Sequence, residues 1–178
     1  KKIRYFIVST IVLCMIFAST IVTYAADPYL SFGSKTGNVN VKKYADKYND
    51  KWVSVIDNGI SAWNNSSANI SISKSSSSKN SIEAARYDDT WYGLTSQTYN
   101  SSTGYTTKVT IKVNARTISA DATNFNNFAK STVTHEFGHV FWLCDNPNTS
   151  KSSIMKYSRN RNGMTAPQTF DVDNVNAK

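Results

Sequence analysis

From Lys43 to Asn64 apolar residues recur at helical spacing: Tyr44, Tyr48, Trp52, Val55, Ile56, Gly59, Ala62 and Trp63. Period 3.6 fits this run and period 2 does not, so it predicts an amphipathic helix with a bulky stripe packed on a sheet. Ala68–Ser73 alternates, with Ile70 and Ile72 on one face, and reads as a strand. Ile82–Leu94 is aromatic and predicts another strand. Tyr105–Asn114 alternates most clearly, with Val109, Ile111 and Val113 facing one way and Thr110 and Lys112 the other. A second helix is expected from about Asn124 to Phe141, with Phe128, Val133, Phe137, Val140 and Phe141 as core residues. Between these elements lie an extended arm over residues 26–40, a Ser-rich loop over Lys74–Asn80, a turn at Asn100–Gly104 and a loop from Asp145 to Ser153. Asp171-Val172-Asp173 can open a short last helix. There is no internal repeat. At 178 residues, the expectation is a single α+β domain.

The N-terminus follows a different pattern. Lys1, Lys2 and Arg4 precede an apolar run from Tyr5 to Val22, and Thr23-Tyr24-Ala25 then places small residues at a cleavage position. A basic start, apolar middle and small-residue end predict a signal peptide over residues 1–25 and a secreted, extracellular chain over residues 26–178. The run is also about long enough to cross a bilayer, but no basic stop-transfer cluster ends it, so stable membrane insertion is not expected after cleavage. Cys14 lies in mid-run after the bulky Leu13, which is a poor setting for lipid attachment. Cleavage removes three positive charges and lowers the net charge from +8 to +5. That mild excess suits cell-surface adhesion only weakly. Nucleic-acid binding would need a basic stripe with interleaved aromatics, and none is present. Cys144 is then the one remaining cysteine, which excludes an intrachain disulfide.

Residues 135–139 read His-Glu-Phe-Gly-His. On a helix, positions i and i+4 share one face about 5–6 Å apart, so two imidazoles can share one Zn²⁺. The intervening Glu136 sits near the metal without binding it and can accept a proton from the attacking water as general base. The chain has only two histidines, and both are in this motif. Zinc needs a third protein ligand. No further His exists and no Glu follows Glu136, which leaves Asp145, Asp171 and Asp173 downstream. Asp145 lies six residues past His139, where a chain turning out of the helix can bring its carboxylate back. The alternative for Asp145 is a surface residue that merely ends the helix.

The spacing His135-Glu136-x-x-His139-x-x-Trp142-x-x-Asp145 resembles the metzincin signature HExxHxxGxxH, or its Asp-ended variant, and Ser153-Ile154-Met155-Lys156-Tyr157 resembles the Met-turn of the same family. The chain is similar to small secreted matrixin-like proteases over residues 135–157. The resemblance implies a zincin-like domain with a twisted mixed sheet, an active-site helix, and an edge strand near Val109–Val113 that binds substrate backbone by strand addition. It also implies that Met155 forms a hydrophobic floor under the metal, and that Tyr157 binds zinc or stabilises the oxyanion. An ordinary buried methionine and a packing tyrosine are the alternatives. Trp142 departs from the family, which has Gly at this point. A non-Gly residue in a left-handed turn costs on the order of 1–2 kcal/mol, and the indole must be accommodated. Cys144 is either a small buried residue or a thiolate near zinc.

These expectations describe a monomeric zinc metalloendopeptidase with one Zn²⁺, acting on protein or peptide substrates. The alternative is a catalytically weak or inactive zinc-binding relative that serves as a surface binding module. Structural Ca²⁺ is common in such families, but Asp88-Asp89 is too thin a cluster to support a site.

Overall fold

The computed structural model describes residues 27–42 and 49–178. The predicted leader, Cys14, Tyr44 and Tyr48 lie outside the described residues. Strand β1 (Asn38–Lys42) pairs in parallel with β2 (Ser71–Ser75), in the register Val39 to Ile72 and Val41 to Lys74. Helix α1 (Asp50–Asn64) lies between them in sequence and starts at Asn49, whose side chain accepts from the Lys51 N–H. It buries Val55, Ile56, Gly59, Ile60 and Trp63, as its period requires.

Three more strands form a second sheet: β3 (Ser81–Ala85), β4 (Gly93–Tyr99) and β5 (Thr106–Asn114), in the order β3-β5-β4. β3 is parallel to β5, and β4 is antiparallel to it. Asn80 stitches the two sheets together. Its carbonyl accepts from the Lys42 N–H at 2.8 Å, its amide donates to the Asn40 carbonyl at 2.9 Å, and its Oδ1 accepts from the Val109 N–H at 2.9 Å.

This topology corrects the expected edge strand. Val109–Val113 lies at the centre of its sheet, and β3 and β4 are the edges. The cause is physical. Val109, Ile111 and Val113 alternate sharply because a central strand is buried, each of them 2% exposed or less. β4, Gly-Leu-Thr-Ser-Gln-Thr-Tyr, is half-exposed throughout and has no such signal.

After β5 the chain turns directly into helix α2 (Ala115–Asp121), which the sequence did not predict. The buried Asn114 caps it, accepting from the Arg116 N–H at 3.1 Å, and also binds the carbonyls of Tyr87 and Asp89. Helix α3 (Phe125–Val140) follows, with the Asn124 side chain accepting from the Asn127 N–H. It buries Phe128, Val133, Phe137 and Val140 in the common core, joined by Phe141 just beyond its end. Gly59 of α1 lies directly against Val133 of α3, where a Cβ would collide with the valine. That close crossing brings the fully buried Trp63 indole to α3, where its N–H donates to the Thr134 carbonyl at 2.7 Å. The residue after Thr134 is His135. Helix α4 (Thr169–Asn176) closes the chain, with Asp171 in its first turn. The result is a mixed α+β domain with four helices among the described residues. Among the described residues no helix is long and apolar enough to cross a membrane.

Candidate metal centre

The last turns of α3 carry His135, Glu136 and His139 on one face. The two imidazole rings stand 4.9 Å apart, nearly perpendicular at 83°. Past Val140 the helix stops: the N–H groups of Phe141 and Leu143 both donate to the Gly138 carbonyl at 3.1 Å. The turn that follows runs through Trp142 at φ 73°, in the left-handed region. It brings Asp145 back across the helix end. Asp145 Oδ1 then lies 3.0 Å from His135 Nε2 and 3.4 Å from His139 Nε2.

Each imidazole is oriented from behind. His135 Nδ1–H donates to the Ile154 carbonyl at 3.0 Å, and His139 Nδ1–H donates to the Leu143 carbonyl at 2.8 Å. With the protons on Nδ1, both Nε2 lone pairs point at the Asp145 carboxylate. Three acceptors therefore converge, all within 4.8 Å of one another, and only a cation or an extra proton reconciles them. Two imidazole nitrogens and one carboxylate oxygen, each with its other side hydrogen-bonded or free to water, form a donor set that fits zinc. His135, buried, has its pKa pulled down by desolvation. At His139 burial also pulls down, but the Asp145 hydrogen bond and the Glu136 charge outweigh it and the pKa rises. Burial alone would raise the Asp145 pKa, but an imidazole Nε2 that takes a proton donates to this carboxylate, and the two such bonds hold Asp145 well below the usual carboxylate range.

Glu136 is 4% exposed. Its Oε2 accepts from the Thr95 hydroxyl of β4 at 2.7 Å, and its carbonyl lies 3.0 Å from the same hydroxyl. Gly93 lies against the carboxylate, where any Cβ would collide with it. Two residues beyond Thr95, the Gln97 amide donates to the His139 carbonyl at 2.9 Å, and its Oε1 accepts from the Thr106 hydroxyl at 2.7 Å. The edge strand is thus clamped to α3 at both ends of the motif. Among the residues that line the cleft over it, of about 410 Å³, are His135, Glu136, His139, Asp145 and Tyr157.

Below the site Met155 is buried, and its sulfur takes the space that Gly138 leaves open. The Met155 carbonyl accepts from the Asn146 N–H at 2.8 Å, which ties the Asp145 loop to this turn. Asp171 holds the turn from the other side. Buried in α4, it accepts from the Ser153 hydroxyl at 2.5 Å and from the Ile154 N–H at 2.8 Å. Asp171 is therefore engaged away from the three converging acceptors, and Asp173 is exposed. Tyr157 is 57% exposed at the cleft, and burial together with the Asp145 charge pushes its hydroxyl pKa up. Cys144 is half-buried and outside the His-His-Asp group. Its thiol donates to the Asp27 carbonyl at 3.1 Å, and burial raises its pKa. The Asp88 and Asp89 carbonyls receive Arg116, and no second group of three potential ligands occurs among the described residues.

The indole of Trp142 points out of the site. It packs against Gly33, where a Cβ would collide with the ring, and in ordinary contact against Gly104, and its N–H donates to the Ser34 carbonyl at 2.8 Å.

No protein-family model and no curated protein matches the chain. Among solved structures, it overlaps a hatching-enzyme zinc-protease from the medaka fish Oryzias latipes, high choriolytic enzyme 1. The TM-score is 0.48 at 13% identity, over 86% of this chain and 97% of that one. It overlaps equally a chain of the ECX AB5 holotoxin in its GM1-bound form, with TM-score 0.48 at 12% identity over 79% of each chain. Overlaps this loose do not bear on function, so the functional reading rests on the site itself.

Several residues at the site had no sequence signal. Gly93, Thr95 and Gln97 sit on a strand with weak patterning. Asp171 was a spare ligand candidate, and its hold on the turn depends on contacts 17 and 18 residues away. Arg159 and Arg161 also line the cleft. Nothing in their local sequence marks them.

Proposed function

We propose that the chain is a zinc-dependent endopeptidase of the metzincin type, secreted after removal of residues 1–25 and acting as a monomer on protein or peptide substrates. One observation carries this reading: His135, His139 and Asp145 converge on one point beside a buried, oriented Glu136, in a cleft bordered by a free strand edge.

His135, His139 and Asp145 would hold the metal. When bound, zinc polarises the scissile carbonyl and makes water more acidic at neutral pH. A substrate segment adds to the free edge of β4, and backbone hydrogen bonds set its register over the site. Glu136 takes the proton of the attacking water and passes it to the leaving amine. Thr95 keeps the Glu136 carboxylate aimed through its 2.7 Å hydrogen bond, so the base needs no reorganisation. The Tyr157 hydroxyl, with its raised pKa, stays protonated and can donate to the oxygen that gains charge.

The alternative, an inactive zinc-binding module, draws its support from Trp142. With the indole packed on Gly33 and Gly104, that residue obstructs neither Glu136 nor the cleft. Glu136→Gln separates the two readings. It should retain one zinc per chain and slow peptide hydrolysis by about 10²–10⁴-fold, the usual contribution of a positioned base. Loss of zinc with hydrolysis unchanged would refute the role given to Glu136.

A further inference from the structure

The cleft lining is uneven in chemistry. It includes the apolar Leu30 and Phe32, and it includes Arg159 and Arg161, the latter with its guanidinium over the Tyr92 ring. Arg159 is 8% exposed. Its Nε–H donates to the Ser131 hydroxyl at 3.2 Å and one Nη donates to the Lys156 carbonyl at 2.9 Å, which leaves part of its five-donor fork unused. Arg161 is half-buried, with its guanidinium 4.9 Å from the Tyr92 ring centre and 5.8 Å from that of Phe128. One Nη donates to the Tyr157 carbonyl at 3.3 Å, while its buried Nε–H has no partner among the described residues.

Neither guanidinium has a carboxylate within 4 Å among the described residues. Burial, and then repulsion from Arg161, push the Arg159 pKa down to about 9. Buried charges are normally paired, because desolvation without a counter-charge is costly. Glu136, Asp145 and Asp171 act on Arg159, and Glu136 on Arg161, only from beyond contact distance, so the two guanidiniums at this recess keep donors with no carboxylate of the described residues against them.

We propose that this recess takes a carboxylate side chain of the substrate, Asp or Glu, on a residue next to the scissile bond. The inference rests on the protease reading. It adds a specificity that the metal ligands alone do not give. Arg fits a carboxylate in a bidentate manner, and the ring of Tyr92 holds the Arg161 fork in place. A substrate segment paired with β4 would carry one side chain toward Trp91 and Tyr92, which directly precede Gly93 and share the cleft lining with both arginines.

The test uses zinc-loaded chain carrying Glu136→Gln and a set of blocked hexapeptides that differ only by Glu or Gln at one position, scanned through the four central sites. Titration calorimetry should show Glu bound about tenfold more tightly than Gln at one position, the scale of a charge-assisted hydrogen bond. Adding Arg161→Gln should remove most of that difference. Arg161 is half-exposed and its loss leaves the core intact; Arg159→Lys provides a second variant that keeps the buried charge and loses the fork. Equal affinities for Glu and Gln at every position would overturn the proposal, as would a full difference that survives both variants. The unsubstituted chain is then given the same peptides. Cleavage without a Glu preference refutes the recess alone. A Glu preference in binding with no peptide cleaved supports the recess and refutes the protease reading alone.

Discussion

His135 and His139 reach the centre from one helix, whereas Asp145 reaches it from a loop. The helix pair is set by local geometry: one turn of α3 puts both rings on one face, and Trp63 and Gly59 dock that helix against α1. Asp145 depends on a chain of distant contacts. Trp142 must adopt φ 73°, Asn146 must bond the Met155 carbonyl, and Asp171 must hold Ser153 and Ile154 from another helix. The two halves meet where Ile154 receives the His135 Nδ1–H at 3.0 Å. In the proposed reading the helix half carries the base and two of the three donors, and the loop half completes the donor set.

Substituting ligands gives the largest effect and the sharpest contrast. His139→Ala removes a ligand from the helix half and should leave no zinc on the chain after gel filtration, with hydrolysis lost. Asp145→Ala should also lose most zinc affinity, since two ligands do not make a stable protein zinc site, but Asp145→His should restore binding. Plasma mass spectrometry of the three variants checks this. Equal zinc in Asp145→Ala and the parent would show that the loop contributes no ligand.

The next effect is indirect. Asp171→Asn keeps the size of the side chain but weakens its hold on the turn, and should cut zinc affinity by about 10–100-fold, as for other outer supports of a metal ligand. Zinc titration with a competing chelator measures it. An unchanged affinity would mean that the turn holds without Asp171.

A pH series tests the pair from the proton side. His139 has a raised pKa, so its protonated form stabilises the metal-free fold below the ordinary imidazole pKa, and that contribution is lost as pH rises through the raised value. Zinc needs that proton gone. Its affinity should therefore climb as pH rises through the same value, with proton release on binding, measurable by calorimetry in two buffers of different ionisation enthalpy. Zinc affinity that is flat across that range would contradict the His139–Asp145 coupling.

The smallest effect concerns Trp142. Glycine there would relieve about 1–2 kcal/mol of left-handed strain. It would also forfeit the indole packing on Gly33 and Gly104 and the bond to Ser34. We expect a net loss of about 1 kcal/mol, a fall in Tm of roughly 2–4 °C, with zinc affinity nearly unchanged. A rise in Tm would show that strain outweighs packing.

The same division explains what the sequence made legible. The juxtaposition of His135 and His139, with Glu136 beside them, could be read from spacing alone, and so could the α3 core and the alternation of Val109, Ile111 and Val113. The edge strand could not. Alternation reports burial, so it marked the central β5 while β4, polar and half-exposed, passed unnoticed. Helix α2 is one short element running straight on from β5, and only the cap at Asn114 announces it. Thr95, Asp171 and Arg159 act through contacts 17 to 41 residues away in the chain, which no local pattern encodes.

The central claim is that this centre, loaded with zinc, cuts peptide bonds. The most direct measurement is digestion of an unfolded protein by chain 26–178, first with one equivalent of zinc, then with a chelator, then with zinc restored. The account predicts internal cleavage that stops with the chelator and returns with the metal. Zinc bound at one per chain with no cleavage at any stage, or cleavage indifferent to the chelator, would contradict it.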